Sequence, residues 1–206
     1  MSGTARLPER AKKAGAPPHW TSNVMVADAD AAASEVKKLG GRVIQEPSDY
    51  PNVGRLAVVA DPHGAVINIY KPARPMTAHD SSKPGEFTWS ELLTTDHEAA
   101  FRFYAALFGW KKQRDFDMGP MGKYLIFGSG DRDLGGMFTK PKDMPAPPHW
   151  LYYVQVADLE KAIERAKGKG AKLLNGPMEV PGGARIAQLD DPQGAGFALH
   201  EMAKKA

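Results

Sequence analysis

The apolar positions of this 206-residue chain follow the period of a β-strand in some stretches and the period of an α-helix in others. The two kinds of stretch alternate in a fixed order. Short runs such as "GRVIQEP", "GRLAVVAD" and "AVINIYK" have the length and apolar content of β-strands. The stretch "ADAAASEVKKLGG" predicts a helix that ends at glycine. Its apolar residues lie on one helical face: Ala29, Ala32, Ala33 and Val36. Together with a first strand in "WTSNVMVAD", the pattern predicts the order β-α-β-β-β.

The same order occurs twice more along the chain. In the second unit, "HEAAFRFYAALFGW" predicts a helix with Thr95 or Asp96 as its N-cap and Gly109 as its stop. The third unit predicts a helix that starts near Leu159. Stretches rich in proline, serine and charge separate the units and have the composition of linkers. We therefore predict a tail or linker at 1–18, a single module at 19–73 (module one), a linker at 74–85 and a two-module domain at 86–206. Its modules lie at about 86–140 (module two) and 149–203 (module three).

The pentapeptide "APPHW" occurs at 16–20 and again at 146–150, and the match continues beyond it. Aligned without a gap, 16–72 and 146–202 share 20 identities in 57 pairs, so module one repeats module three. Each "APPHW" marks the entry to the second module of a pair, and module one has no first module in this chain. An unpaired module exposes a sheet edge. We therefore expect a homodimer in which the 19–73 modules of two chains pair, or else a chain start that is misassigned.

Composition narrows the classes of function. Hydrophobic residues make up 42% and charged residues 25%, as in ordinary globular proteins, and the net charge is +3. The absence of cysteine excludes disulfides, thiolate metal sites and a cysteine nucleophile. Basic residues form no stripe with interleaved aromatic residues, so no nucleic acid is expected as a partner. Without an apolar run long enough for a signal peptide or a membrane span, the chain is expected to be cytoplasmic and to have no membrane partner.

Tandem βαβββ modules with a "DPxG" turn before the last strand resemble the vicinal oxygen chelate superfamily, which includes glyoxalases, bleomycin-resistance proteins and extradiol dioxygenases. The stretches "GEFTWSELLTTDHEAAFRFYAALFGW" and "LDDPQGAGFALHE" resemble a two-domain bacterial, glyoxalase-like branch of it. The resemblance implies an α+β fold in which modules pair into open, cupped mixed-sheet barrels around a cavity. Fold-level likeness does not define a reaction.

The resemblance also implies where a divalent metal would be held. One ligand precedes the aspartate before the helix by seven residues, and another follows the aspartate of "DPxG" by seven. Neither position carries a histidine or a carboxylate in this chain, so no cofactor is expected: Thr21, Trp89 and Leu151 at the first, Asn68 and Ala198 at the second. Residues two apart share a face of a strand. A displaced metal site therefore has three fallback ligands, Glu91, His149 and His200, and a divalent metal stays possible.

The remaining hypothesis is a cavity that binds a small molecule. Its candidate residues lie on the strands expected to border the cavity: Trp89, Glu91, Tyr153, Arg185 and Phe197. The alternative for Trp89 is that it fills the barrel, and for Arg185 that it makes an ion pair at the rim. We expect a small-molecule-binding protein without the usual metal site. The alternative is a metal-dependent lyase, isomerase or dioxygenase of the same superfamily.

Overall fold

The computed structural model describes residues 4–13, 15–76 and 80–203. Helix α1 (Glu9–Lys13) lies in the stretch predicted as a tail, and a 3₁₀ turn occupies Gly119–Met121. The other helices are those predicted from the pattern: α2 (Ala29–Lys38), α3 (His97–Phe108) and α4 (Leu159–Lys167). The strands are β1 (Asn23–Met25), β2 (Arg42–Tyr50), β3 (Gly54–Ala60), β4 (Val66–Pro72), β5 (Phe87–Thr94), β6 (Lys111–Asp117), β7 (Lys123–Ser129), β8 (Arg132–Thr139), β9 (His149–Gln155), β10 (Lys172–Glu179), β11 (Arg185–Asp190) and β12 (Gly196–Glu201).

The strands form two mixed sheets, which confirms the predicted α+β class, and neither sheet closes into a barrel. Module one makes a four-stranded sheet in the order β1-β4-β3-β2. Modules two and three share one eight-stranded sheet in the order β10-β11-β12-β9-β5-β8-β7-β6. The two modules join at its centre, where β5 and β9 run antiparallel. In each module the first strand lies parallel to the last, as the β-α-β-β-β order requires.

An aspartate starts each of the three long helices. Asp28 accepts hydrogen bonds from the backbone N–H groups of Asp30 and Ala31 at 2.9 Å. Asp96 accepts one from Ala99, and Asp158 accepts one from Lys161. These bonds satisfy N–H groups that have no partner within the helix. Helix α3 stops at Gly109, whose φ of 70° lies in the left-handed region that glycine adopts without strain.

The two "DPxG" turns are built alike. Asp61 Oδ1 accepts hydrogen bonds from the N–H groups of His63 and Ala65 at 2.9 and 3.0 Å. Asp191 Oδ1 makes the corresponding bonds to Gln193 and Ala195, at 2.8 and 3.0 Å. The aspartate thus fixes the turn through its own backbone, as an Asx-turn does. The repeat detected in the sequence is therefore also a repeat of local structure.

Module one packs against module two, with helix α2 against α3. Their apolar side chains form one core with residues from the start of module three. A buried polar contact crosses this core: the hydroxyl of Tyr104 on α3 donates to Asp61 Oδ2 of module one at 3.1 Å. The indole N–H of Trp150 in module three donates to the same hydroxyl, also at 3.1 Å. One tyrosine hydroxyl therefore connects all three modules.

The longest of the described helices, α3, has 12 residues, and none of them is long and apolar enough to cross a membrane.

Candidate functional site

The eight-stranded sheet has a helix face and an opposite face, which we call the open face. Leu92 on β5 packs toward α3, and Leu199 on β12 packs toward α4. Because side chains alternate along a strand, their neighbours Glu91 and Ala198 lie on the open face. Residues paired across neighbouring strands share a face. The pairs Trp89–Tyr153, Glu91–Leu151 and Tyr153–Ala198 therefore place the predicted residues Trp89, Glu91 and Tyr153 together.

The carboxylate of Glu91 is the centre of a hydrogen-bond network on the open face. Tyr124 donates its hydroxyl proton to Glu91 Oε2 at 2.9 Å, and Tyr153 donates to Oε1 at 3.0 Å. Each hydroxyl in turn accepts from an N–H group: Trp89 Nε1 donates to Tyr124 at 2.8 Å, and Gln188 Nε2 donates to Tyr153 at 3.3 Å. Indole and amide N–H groups can only donate. Each series of hydrogen bonds therefore runs from an N–H group, through a tyrosine hydroxyl, to the Glu91 carboxylate.

Glu91 is 9% exposed, and burial raises the pKa of its carboxyl group above the ordinary value of 4.5. The bonds from Tyr124 and Tyr153 oppose this shift because they stabilise the charged form. Burial also raises the pKa of both tyrosine hydroxyls, so they remain protonated donors. The protonation of Glu91 therefore depends on both its burial and the hydrogen bonds that its carboxyl group accepts.

Glycine at position 136 makes room for this network. A side chain added there would meet the ring of Tyr124, since the ideal Cβ position lies 2.0 Å from Cε1. Tyr124 also stacks on Phe138, with ring centroids 6.0 Å apart. The tyrosine ring is thus held between the backbone at Gly136 and an aromatic neighbour, which aims its hydroxyl at Glu91. Tyr124, Gly136 and Gln188 were not among the predicted site residues.

The fallback metal ligands do not form a group. His149 hydrogen-bonds through Nδ1 to the carbonyl oxygen of Pro147 at 2.8 Å, as His19 does to Pro17 in the repeat. His200 shares a hydrogen bond of 2.9 Å with Thr88 Oγ1, and burial lowers the pKa of its imidazole. Within the described part of the chain, no three His, Asp, Glu or Cys side chains are placed to hold one ion. Because Glu91, His149 and His200 belong to no such group, the described side chains do not fit the divalent metal of the superfamily.

Two of the predicted ligand-binding residues lie elsewhere. Arg185 points to the helix side, where it forms an ion pair with Glu160 of α4. Its repeat partner Arg55 pairs with Asp30 of α2, the residue equivalent to Glu160, so both arginines tie a strand to a helix start. Phe197 packs with the α4 cluster on the helix face, because one step along β12 from Ala198 reverses the face. The sequence placed Arg185 and Phe197 correctly on their strands but did not decide which face of the sheet each side chain occupies.

A sequence model of the "Glyoxalase/Bleomycin resistance protein/Dioxygenase superfamily" matches residues 86–199. With the sheet order and the relatives described next, this shows that the chain belongs to that superfamily.

Two groups of relatives are similar to nearly the whole chain. The protein named "Putative glyoxylase CFP32" of Mycobacterium tuberculosis is 31% identical over 200 residues, which cover 97% of this chain and 75% of the relative. The "Anthracycline biosynthesis protein DnrV" of Streptomyces peucetius is 34% identical over 189 residues, or 91% of this chain and 67% of the relative.

Solved structures share the fold. The Mn(II)-bound glyoxalase from Novosphingobium aromaticivorans superposes with a TM-score of 0.60 at 17% identity, covering 88% of this chain. This chain spans 62% of that protein's length. The 2,2',3-trihydroxybiphenyl 1,2-dioxygenase from Sphingomonas wittichii strain RW1 gives 0.62 at 14% identity, covering 90% of this chain and 71% of the dioxygenase. At these identities the likeness is one of fold.

Proposed function

We propose that this protein binds a small molecule on the open face of residues 86–203, through Glu91 and the aromatic rings around it, and without the metal of its superfamily. The observation that carries the proposal is the buried Glu91 carboxylate, fixed by Tyr124 and Tyr153. The ligand class that fits is a ring system bearing a hydroxyl or a protonated amine. Such a ligand donates to the carboxylate and lies against the rings.

The donor requirement follows from the chemistry of the carboxylate. Two oxygens offer about four lone-pair sites, and the tyrosines use one on each oxygen. Burial raises the pKa of Glu91 and the two tyrosine bonds lower it, and no cationic side chain among the described residues contributes to the shift. A buried charge without an opposite charge is costly. A ligand that brings a proton donor to the free lone pairs offsets part of that cost, and a protonated amine offsets more.

The ring requirement follows from the side chains next to Glu91. Trp89, Tyr124 and Phe138 are partly exposed, and Phe116, which pairs with Tyr124 across the sheet, is 41% exposed. Flat aromatic surface favours stacking with a ring, and it attracts cations as well. The relatives named for anthracycline biosynthesis are in keeping with a fused-ring ligand. The relative named a glyoxylase matches at nearly the same identity, so the names of the relatives alone do not identify the ligand.

The test is a binding screen read by thermal shift and by tryptophan fluorescence. Paired probes differ only in the donor, such as a phenol and its O-methyl ether, which has no proton to donate. We expect donors to bind and their analogues to bind at least tenfold more weakly. Glu91→Gln should reduce that difference, because a neutral amide oxygen is a weaker acceptor than a carboxylate. Glu179→Gln, which changes an exposed carboxylate on β10, should leave it intact. If donors and analogues bind equally to the wild type, the role given to Glu91 is wrong.

The raised pKa of Glu91 favours one second candidate, an enzyme of the lyase or isomerase type. In it the Glu91 carboxylate accepts a proton from the bound molecule and becomes a carboxylic acid, and returning that proton restores it. The measurement is exchange of ligand C–H protons for deuterium in D₂O, followed by NMR. Exchange that requires Glu91 would support the enzyme. Ligand binding without exchange would support the binding protein.

Metal content is measured independently on tag-free protein by elemental mass spectrometry after dialysis. The proposal expects no stoichiometric Zn, Mn, Fe or Ni and none retained after addition. About one ion per chain would overturn the metal-free site, and Glu91, His149 and His200 would be the first residues to replace.

A further inference from the structure

A second polar pair lies on the open face of module three, beyond the hydrogen-bond network of Glu91. Gln155 of β9 and His200 of β12 are opposite each other in the parallel pairing of these two strands. Their chain neighbours Val156 and Leu199 belong to the α4 cluster on the helix face. Because side chains alternate along a strand, Gln155 and His200 lie on the open face.

The other two modules show that the fold does not require polar groups at these positions. Gln155 lies three residues before the aspartate that caps the helix of its module, and its equivalents are Met25 and Leu93. Met25 is paired with Tyr70 and Leu93 with Phe138, just as Gln155 is paired with His200. Each of those two pairs joins an apolar side chain to a benzene ring. Module three replaces such a pair with an amide and an imidazole, and departures of this kind are typical of functional sites.

The amide of Gln155 holds a buried acceptor without a donor. The residue is 6% exposed, and its Nε2 donates to the carbonyl oxygen of Val156 at 3.3 Å. That bond fixes the orientation of the amide, because a carbonyl oxygen can only accept. Gln155 Oε1 is buried and accepts no hydrogen bond from any described residue, which destabilises the free protein. The last torsion of a glutamine is broad, so the amide can turn toward a bound donor and gives up only one long hydrogen bond.

The imidazole of His200 is oriented by Thr88, the extra residue of a bulge between Phe87 and Trp89 of β5. Thr88 Oγ1 donates to the carbonyl oxygen of Tyr153 at 3.3 Å and lies 2.9 Å from His200 Nδ1. Since a hydroxyl has one proton, both contacts are satisfied together when Nδ1 carries the hydrogen and donates it to Thr88. Burial lowers the pKa of the imidazole, which keeps the ring neutral at neutral pH. The other nitrogen, Nε2, is then an acceptor on a partly exposed side chain.

Glu91 and the pair of Gln155 and His200 lie at two ends of one apolar surface. Leu151, which is opposite Glu91 on β9, precedes Gln155 by four residues. At about 3.3 Å per residue, the backbone positions of the two ends are about 13 Å apart along the strand. The side chains between them form an apolar cluster: Leu151, Tyr153 and Ala198, with Trp89 and Ile186 packed against them. A ligand that reaches both ends is therefore elongated and apolar in its middle.

We propose that Gln155 and His200 form a second subsite on the open face, where Gln155 Oε1 and His200 Nε2 accept hydrogen bonds from a second donor group of the ligand. The ligand class is then an elongated fused-ring compound with a hydroxyl or an amine at each end. One end donates to Glu91, and the other donates to the second subsite. This inference rests on the proposed function, because Glu91 binds the first end.

The experiment compares ligands that carry two donors with ligands that carry one. The probes are linear two-ring and three-ring diols with one hydroxyl at each end, together with the mono-O-methyl ether of each diol. Dissociation constants are measured by titration of tryptophan fluorescence. We expect the tighter-binding diol to bind the wild type about tenfold more strongly than its ether, since the ether leaves one end of the site without a donor.

A double variant, Gln155→Met with His200→Phe, gives the second subsite the residue types found at the equivalent pairs. Its affinity for the diol should fall about tenfold, to that of the ether, while its affinity for the ether should stay unchanged. Without ligand it should unfold at no lower temperature than the wild type, because an unpaired buried acceptor is removed. Gln155→Met alone should shift diol affinity in the same direction by a smaller factor. The control is Gln193→Met in an exposed turn, which should keep the wild-type preference for the diol.

Two results would overturn the inference and leave the proposed function in place. In the first, diol and ether bind the wild type equally, while a single-ring phenol and its methyl ether still differ in a way that depends on Glu91. In the second, the double variant and Gln155→Met both keep the wild-type preference for the diol. Failure of the proposed function gives a different result, because Glu91→Gln then changes the binding of neither the phenol pair nor the diol pair, and both proposals are wrong.

Discussion

Tyr104→Phe is the most informative single change in the core, because one hydroxyl joins the three modules. The substitution keeps the ring and its packing and removes two hydrogen bonds of 3.1 Å, one with Trp150 and one with Asp61. The Trp150 indole N–H is then left unpaired at a site where the residue is 5% exposed. Asp61, which is 1% exposed, loses one donor to its carboxylate.

The magnitude follows from these two losses. An unsatisfied buried donor costs roughly 1–3 kcal/mol, and a hydrogen bond to a charged group contributes roughly 1.5–3 kcal/mol. Since the two share one hydroxyl, they do not add fully, and we expect a loss of about 3 kcal/mol. For a protein of this size that corresponds to a fall in Tm of roughly 6–12 °C. Burial raises the pKa of Asp61, and the Tyr104 bond opposes that shift by stabilising the charged form. The cost of the substitution should therefore shrink as pH falls and Asp61 becomes protonated.

The assay is urea and thermal unfolding followed by circular dichroism, at neutral pH and again at acidic pH. The control is Tyr50→Phe, which removes an exposed hydroxyl that accepts from Gln45 at 2.7 Å. That change should stay within about 0.5 kcal/mol of the wild type. A Tyr104→Phe protein as stable as the Tyr50→Phe control would refute the reasoning, since the buried polar contact would then contribute nothing to the joining of the modules.

Three further changes test other parts of the structure. Because burial raises the pKa of Glu91, the folded protein binds that proton more tightly than the unfolded chain does. The stability of the wild type relative to Glu91→Gln should therefore fall as pH rises above 4.5, and a difference independent of pH would contradict the shift. Arg185→Met breaks an exposed ion pair on the helix side, so ligand affinity on the open face should not change in the binding screen. Gly168→Ala places a methyl group 3.4 Å from its nearest neighbour at a helical φ of −62°, and unfolding should show a gain of about 0.4–1 kcal/mol.

Much of the fold could be read from the sequence because its signals are local. Asp28, Asp96 and Asp158 cap helices through bonds to residues two or three positions away. The "DPxG" turns close on their own backbone, and the repeat shows that both copies do so alike. The side-chain cluster around Glu91, which is the candidate site, was predicted only in part. Trp89, Glu91 and Tyr153 share the open face, but Tyr124 and Gln188 come from strands whose register the sequence did not specify.

The sequence by itself determined the three modules, their β-α-β-β-β order and the residue types at the positions where the resemblance implies a metal. Residue types and periods of two and 3.6 suffice for that. Only the tertiary structure decided which side chains meet. A shift of one residue along a strand moves a side chain to the other face, so Phe197 lies with α4 while Ala198 lies beside Tyr153. The packing of module one on module two, joined through Tyr104, depends on contacts between residues more than 40 positions apart, and no local pattern encodes those.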